Sequence, residues 1–314
     1  MADIYVKPYG ERRKNPLRFL LPIMLIAAVV GGGIWWWLER PAPDAAEESP
    51  AAPQQTEAEA PEAVPSADQA SAASPDMERL FNAAQSKLAQ GDPAAASDLL
   101  DQVIEQSAET GLKNNALRMQ GRIKIRLFLS DVPMEEKTSY VVQPGDSLDR
   151  IARNNDTTIA LIRKMNGIDG NLIYAGQRLM LPAAPFTVHV DKSERTLDLM
   201  MNGELFKRYS VGVGKYGKTP TGTFNTVVHQ KNPDWTPPTG GIIPFGDPRN
   251  VLGTRWMSFQ DKARPDLKGF GIHGTSARDS IGSETSNGCI RMLNEDVEEV
   301  FTLIPRGTKV MIQE

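Results

Sequence analysis

Hydrophobic residues fall along the chain in five successive patterns. From Phe19 to Leu38 they form an almost unbroken apolar run of 20 residues. At 1.5 Å rise per residue, a helix of that length matches the ~30 Å hydrocarbon thickness of a bilayer. From Pro41 to Pro75 they nearly vanish: seven Pro and seven Asp or Glu stand there with no Lys or Arg, a composition that cannot bury a core. Between residues 76 and 129 they return with a helical period. Leu80, Phe81, Ala84 and Leu88 share one face, Gly91-Asp92-Pro93 interrupts, Leu99, Leu100, Val103 and Ile104 mark a second helix, and a third is expected around Leu112 to Leu129. From Tyr140 to Pro182 the pattern is a short strand at Tyr140 to Val142, a turn at Pro144-Gly145-Asp146, two short helices and a closing strand at Arg178 to Leu181. Ile151, Ile159, Leu161 and Ile162 read as its core and Asp146 as a helix cap. Beyond residue 186, apolar stretches alternate with turn signals at Asn202-Gly203 and Gly212 to Gly217, the grammar of strands and hairpins. One helix is expected near the end: Asn294 as its cap, Glu295 and Asp296 in its first turn, Val297, Val300, Phe301 and Ile304 inward, and a stop at Pro305 and Gly307.

These patterns predict a multidomain chain. Its parts are a cytoplasmic N-terminus (1–18), a single transmembrane anchor (19–38), an acidic Pro/Ala-rich linker (39–75), a small α-helical module (76–130), an α+β unit (139–183) and a mainly β domain (186–314). Charge sets the direction of the span. Lys7, Arg12, Arg13, Lys14 and Arg18 precede it against only Asp3 and Glu11, and such an excess keeps the N-terminus inside, with the folded part beyond the plasma (inner) membrane. Trp35, Trp36 and Trp37 stand at the outer end, where amphipathic rings favour the headgroup layer. A cleaved signal peptide is the competing reading, but Leu38-Glu39-Arg40-Pro41 lacks a small-x-small cleavage site. The last domain carries 16 Lys and Arg against 15 Asp and Glu, so no basic footprint for nucleic acid is present.

Candidate chemistry is sparse. Cys289 is the single cysteine, so it has no internal disulfide partner, and it is either an inert small hydrophobe or a nucleophile. Of the three histidines, His189 alternates with valines in a strand and His229 precedes a Pro-rich loop; both read as structural, with no Cys or carboxylate at metal-ligand spacing. His273 lies in Gly-Ile-His-Gly-Thr, sixteen residues before the cysteine of Ser286-Asn287-Gly288-Cys289-Ile290-Arg291. Glycines on both sides let backbone approach a substrate closely. A thiol with a pKa near about 8.5 needs an adjacent base for acyl transfer, and His273 is the candidate. A neighbouring imidazolium would hold the thiol below its ordinary range. Spacing alone leaves the pair open, because a Cys and a distant His also co-occur by chance.

Longer motifs narrow the reading. LAQGDPAAASDLLDQVI resembles one helix pair of a tetratricopeptide-like array, although three helices fall short of a solenoid; the module is a spacer or a docking surface for a protein partner. YVVQPGDSLDRIARNNDTTIALIRKMNGI with LIYAGQRLMLP resembles a LysM module over its whole length. That resemblance implies a βααβ fold with a shallow glycan groove at Gly145, Asp146 and Ser147 and at Asn171 to Ile173. GIHGT, SNGCIRM, TPTGTF and NPDWTPPTGGIIPFGDPRNVLGTRWMSF resemble the catalytic domain of the L,D-transpeptidases over about 130 residues. The family fold is mainly β and sandwich-like, and its nucleophile and base map onto Cys289 and His273. By the same resemblance Gly274 orients the imidazole through its carbonyl, Gly288 and Cys289 supply oxyanion N–H groups, and residues 232–255 form a flap with Trp235 and Trp256 as wall or core. Ser286, Asn287 and Arg291 are the expected substrate contacts; the Arg291 guanidinium suits either bidentate pairing with a stem-peptide carboxylate or a structural salt bridge. Many members have His where Asn287 stands, which removes a second titratable group but not the base. The implied partners are peptidoglycan stem peptides and glycan strands, and no metal or organic cofactor is implied. The implied reaction is acylation by the diaminopimelate carbonyl of a tetrapeptide stem, release of D-alanine, and transfer to an amine. Carboxypeptidase action and a non-catalytic wall tether are the alternatives.

Overall fold

The computed structural model describes residues 74–314 apart from Pro238. The expected cytoplasmic segment, the 19–38 span and the linker up to residue 73 lie outside the described residues, among which no helix is long and apolar enough to cross a membrane.

Three helices come first, α1 (Pro75–Ala89), α2 (Pro93–Gln106) and α3 (Thr110–Phe128). Pro75 and Pro93 stand in first turns, where the missing N–H has no partner to lose. Asp92 accepts from the Ala95 N–H at 3.1 Å and Glu109 from the Leu112 N–H at 2.9 Å, so both later helices begin on side-chain caps. Ala84, Ala96, Leu100, Val103, Leu112, Ala116 and Ile123 close a core of their own. The last turns of α3 face elsewhere: Ile125 and Phe128 belong to the core of the C-terminal domain.

The LysM-like unit follows as β1 (Lys137–Val141), α4 (Leu148–Asn154), α5 (Ile159–Asn166) and β2 (Arg178–Pro182), with β1 and β2 antiparallel. The cap of α4 is Ser147, whose Oγ accepts from the Arg150 N–H at 3.2 Å. Asp146, expected in that role, instead accepts from the Tyr140 hydroxyl at 2.7 Å and the Gln143 N–H at 2.8 Å and so closes the preceding turn. Val142, Leu148, Ile151, Ile162, Leu179 and Leu181 form this unit's core. Leu161 and Met165, on the other face of α5, are buried against the C-terminal domain.

That domain contains β3 (Phe186–Asp191), β4 (Thr196–Met201), β5 (Glu204–Ser210), β6 (Val213–Gly214), β7 (Gly222–Lys231), β8 (Arg255–Gln260), β9 (Gly271–Thr275), β10 (Glu284–Ser286), β11 (Ile290–Leu293), α6 (Asn294–Leu303) and β12 (Lys309–Gln313). It is mainly β. Pairing runs without a break through one eight-stranded sheet, β11-β9-β8-β7-β12-β3-β4-β5, with β6 and β10 as a separate parallel pair. The β11–β9 and β12–β3 pairs are parallel. Strands β3 and β4 bury alternate residues, Phe186, Val188, Val190, Leu197, Leu199 and Met201, as a half-covered sheet requires.

The three folded units interlock. Phe128 meets Phe206 and Phe186 edge-on at centroid distances of 5.0 and 5.8 Å. Asn114 accepts from Arg208, which also grips Asp198 with two hydrogen bonds. The ammonium of Lys137, 8% exposed, donates to the carbonyls of Leu127, Ser130 and Val132 at 2.7, 2.6 and 2.8 Å and fastens the end of α3 to β1. The helical module is thus a buttress of the eight-stranded sheet rather than a free spacer.

Candidate active site

β9 lies between β8 and β11, which sets His273 opposite Trp256 on one side and Arg291 on the other. The imidazole is 3% exposed and tilts against the Trp256 indole at 6.1 Å. Its Nδ1 is 2.9 Å from the Gly274 carbonyl. A carbonyl only accepts, so Nδ1 carries the proton and Nε2 keeps its lone pair. Burial pushes this histidine down to about 4, with the Arg291 charge acting in the same sense and the Gly274 bond against it. The ring is therefore a neutral base throughout the physiological range.

Gly274 has no room for a side chain. A Cβ there would stand 2.3 Å from Asn294 Oδ1, and one on Gly253 would meet the same oxygen at 2.3 Å. Asn294 Oδ1 accepts from the Thr254 N–H at 3.1 Å. The expected cap of α6 is therefore not made by Asn294, whose side chain serves this tertiary junction; Leu293 precedes the helix with no side-chain bond.

Cys289 stands immediately before β11. The turn leading to it is held from both sides. Ser286 Oγ donates to the Cys289 carbonyl at 2.6 Å and accepts from the Gly288 N–H at 3.0 Å. Thr219 Oγ1, fully buried, donates to the Gly288 carbonyl at 3.0 Å and accepts from the Gly214 N–H at 2.8 Å. Gly288 adopts φ +124, and a Cβ would strike the Phe270 ring at 2.5 Å, so glycine is required. Of the two expected oxyanion donors, the Gly288 N–H is bonded to Ser286 Oγ in this structure; the other is the Cys289 N–H.

The thiol is half-buried, and Sγ donates to the Gly269 carbonyl at 3.6 Å. Burial pushes it above its ordinary value, opposed by the Gly271 amide and Arg291. This reverses the expectation of a thiol lowered by an imidazolium. Burial acts on both groups in the sense that disfavours the charged form, the thiolate of Cys289 and the imidazolium of His273.

Of the other expected contacts, Asn287 is exposed and Ser286 is buried in the turn. Arg291 donates to Thr285 Oγ1 at 3.1 Å, and its backbone pairs with Gly212 in both directions. Segment 232–254 is irregular: Trp235 and Ile243 exchange two backbone bonds of 2.8 Å, and Asn250 donates to the carbonyls of Pro233 and Ile243. Gly145, Asp146 and Ser147 form the turn before α4, while Asn171 is exposed and Ile173 leans on the LysM core. Thr219, Asn294 and Trp256 were not given these roles from sequence. Thr219 lies within TPTGTF, but its action on Gly288 shows only in three dimensions.

A family model of the L,D-transpeptidase catalytic domain matches residues 185–312, and one of the LysM domain matches residues 140–182. The chain is 37% identical over 181 residues to the L,D-transpeptidase YkuD of Bacillus licheniformis, covering 55% of this chain and 97% of that protein. It is 35% identical over 182 residues to YkuD of Bacillus subtilis, covering 55% and 98%. Against YqjB of Bacillus subtilis, also named as an L,D-transpeptidase, identity is 39% over 133 residues, covering 42% and 73%. With a LysM domain preceding its catalytic domain, the chain belongs to the YkuD family of L,D-transpeptidases.

Proposed function

We propose that Cys289 is the nucleophile and His273 the general base of this L,D-transpeptidase. The observation that carries the reading is the Nδ1 to Gly274 bond, which leaves Nε2 unprotonated on the strand adjacent to the one that follows Cys289. Nε2 takes the thiol proton as Sγ attacks the carbonyl between diaminopimelate and D-alanine in a stem tetrapeptide. A C–S bond forms, and the Cys289 N–H donates to the oxyanion. Collapse breaks the C–N bond, and the imidazolium returns the proton to the departing D-alanine amine. An amine of a second stem then attacks the thioester, gives its proton to His273 and regenerates the thiol, leaving a new amide crosslink. Arg291 is suited to a stem carboxylate, since its side-chain partner among the described residues is the neutral Thr285. Ser286 shapes the turn, and the exposed Asn287 is free to position substrate by hydrogen bonds.

The acceptor distinguishes transpeptidase from carboxypeptidase. Tetrapeptide incubated with the enzyme, with and without a second stem, should give D-alanine plus a crosslinked dimer; D-alanine plus tripeptide under both conditions would make water the acceptor. Residues 19–38 anchor the chain in the plasma membrane with the catalytic domain outside, and the LysM loops at Gly145, Asp146, Ser147, Asn171 and Ile173 hold the glycan strand.

Resting neutrality has a measurable consequence. Alkylation of Cys289 by iodoacetamide should rise only within and above the ordinary thiol range, because the raised thiol is protonated below it. His273→Ala should leave that profile in place while lowering stem turnover by roughly 10²-fold or more. A wild-type midpoint well below that of a free thiol, moved upward by His273→Ala, would show a pre-formed ion pair instead.

A further inference from the structure

Between the LysM unit and the catalytic domain lies a cleft of about 530 Å³, away from Cys289. One wall is the α4–α5 turn, Asp156-Thr157-Thr158; the other is His229 on β7, Phe301 on α6, and Arg306. Thr158 joins the walls: its Oγ1 donates to the Thr302 carbonyl and accepts from the Leu161 N–H. Two polar atoms of the lining residues, one from each wall, have no hydrogen-bond partner among the described residues. Thr157, 5% exposed, has no partner for Oγ1, and His229 has none for a buried Nε2. Leaving a buried donor or acceptor unmade costs about 1–3 kcal/mol, and native proteins contain few such groups. One on each wall of the same cleft therefore points to a partner.

The surroundings define that partner's chemistry. Burial, and secondarily the Arg306 charge, push His229 down to about 4, so its ring is uncharged at physiological pH. Its centroid is 5.4 Å from that of Phe301, the rings tilted at 42°, so aromatic carbon lines this wall. At the rim Asp149 is paired with Arg153, and Asp156 and Arg306 supply one further charge of each sign. Four charges that cancel give no net attraction to a phosphate, an acidic peptide or a polyamine. An uncharged ligand with hydroxyl groups on its edge and a flat apolar face suits the cleft.

We propose that this cleft is a second glycan subsite, binding one neutral pyranose ring of the strand that bears the stem. Thr157 Oγ1 and His229 Nε2 turn about their side-chain bonds to meet its hydroxyl or acetamido groups, and Phe301 covers its face. The site is separate from the LysM loops at Gly145 to Ser147 and Asn171 to Ile173, and it rests on the reading of glycan-borne stems as substrate. Turnover of a soluble stem tetrapeptide tests that reading independently of sugar binding.

The chain has three histidines, so labelling histidine with ¹⁵N in the full-length protein yields resolvable imidazole signals. On titration with tetra-N-acetylchitotetraose, the His229 ring resonances should move saturably while those of His189 and His273 stay still. Thr157→Val, equal in volume but lacking the hydroxyl, should weaken the affinity read at His229 by about fivefold or more. If the His229 signals stay still, whether or not the Gly145 to Ser147 amides move, the cleft holds ordered water only and the proposal fails. Wild-type affinity in Thr157→Val would likewise overturn it. Should that variant not fold, the wild-type titration decides alone.

Discussion

Cys289→Ala should lower turnover of a stem tetrapeptide by at least about 10³-fold, because the covalent route is lost and the imidazole that remains offers only base catalysis to water. Wild-type protein mixed with tetrapeptide should gain, by intact mass, the acyl fragment that remains after D-alanine leaves, and the variant should gain nothing. Stability should change little. The thiol is half-buried and its one hydrogen bond is a long 3.6 Å contact, whereas the turn is held by Ser286 and Thr219 through backbone atoms that alanine retains. Melting temperature and retention on insoluble peptidoglycan check this. Turnover within tenfold of wild type in a folded Cys289→Ala protein would end the covalent mechanism.

Removing residues 140–182 is expected to cost the catalytic domain most of its stability. A LysM module joined by a flexible hinge could be deleted with loss of sacculus retention alone. Here Leu161 and Met165 are buried in the catalytic core, Thr158 is bonded to the Thr302 carbonyl, and Lys137, next to the cut, holds the end of α3. Baring two large apolar contacts costs roughly 1.5–3 kcal/mol each, a large share of the about 5–15 kcal/mol that keeps a domain folded. The deletion variant should melt at least about 10 °C lower or fail to unfold cooperatively, and soluble-stem turnover should fall with it. Leu161→Ala, which leaves the glycan loops untouched, should reproduce part of the loss, about 2–5 kcal/mol. Unchanged melting and soluble-stem turnover in both variants would mean that the shared core contributes nothing.

How much was legible in the sequence differs from residue to residue. His273 and Cys289 were paired through the resemblance of GIHGT and SNGCIRM to the L,D-transpeptidases, since their spacing alone left the pair open. The three helices and the alternating strands were readable because period and breakers are local properties. Ile125 and Phe128 were not assignable: they continue the apolar pattern of α3, and periodicity marks a buried face without naming what buries it. Asn294 and Asp146 were misread as caps because each has the right chemistry at a helix start, while the groups that claim them, the Thr254 N–H and the Tyr140 hydroxyl, are distant or merely adjacent in ways propensity does not weigh. The direction of the thiol shift was also inaccessible, since it depends on burial, and a Cys–His pair alone argues for the opposite sign.

Gly253, Gly274 and Asn294 meet without room for one added carbon on either glycine. The segment arching from residue 232 thus ends on the peptide whose carbonyl fixes the His273 tautomer. Any rearrangement of that arch as substrates come and go has to be absorbed before Gly253, among the residues around Trp235 and Ile243. If His273 is the proposed base and this arch the proposed flap, the base is mechanically insulated from the flap, and its orientation need not be rebuilt in each catalytic cycle.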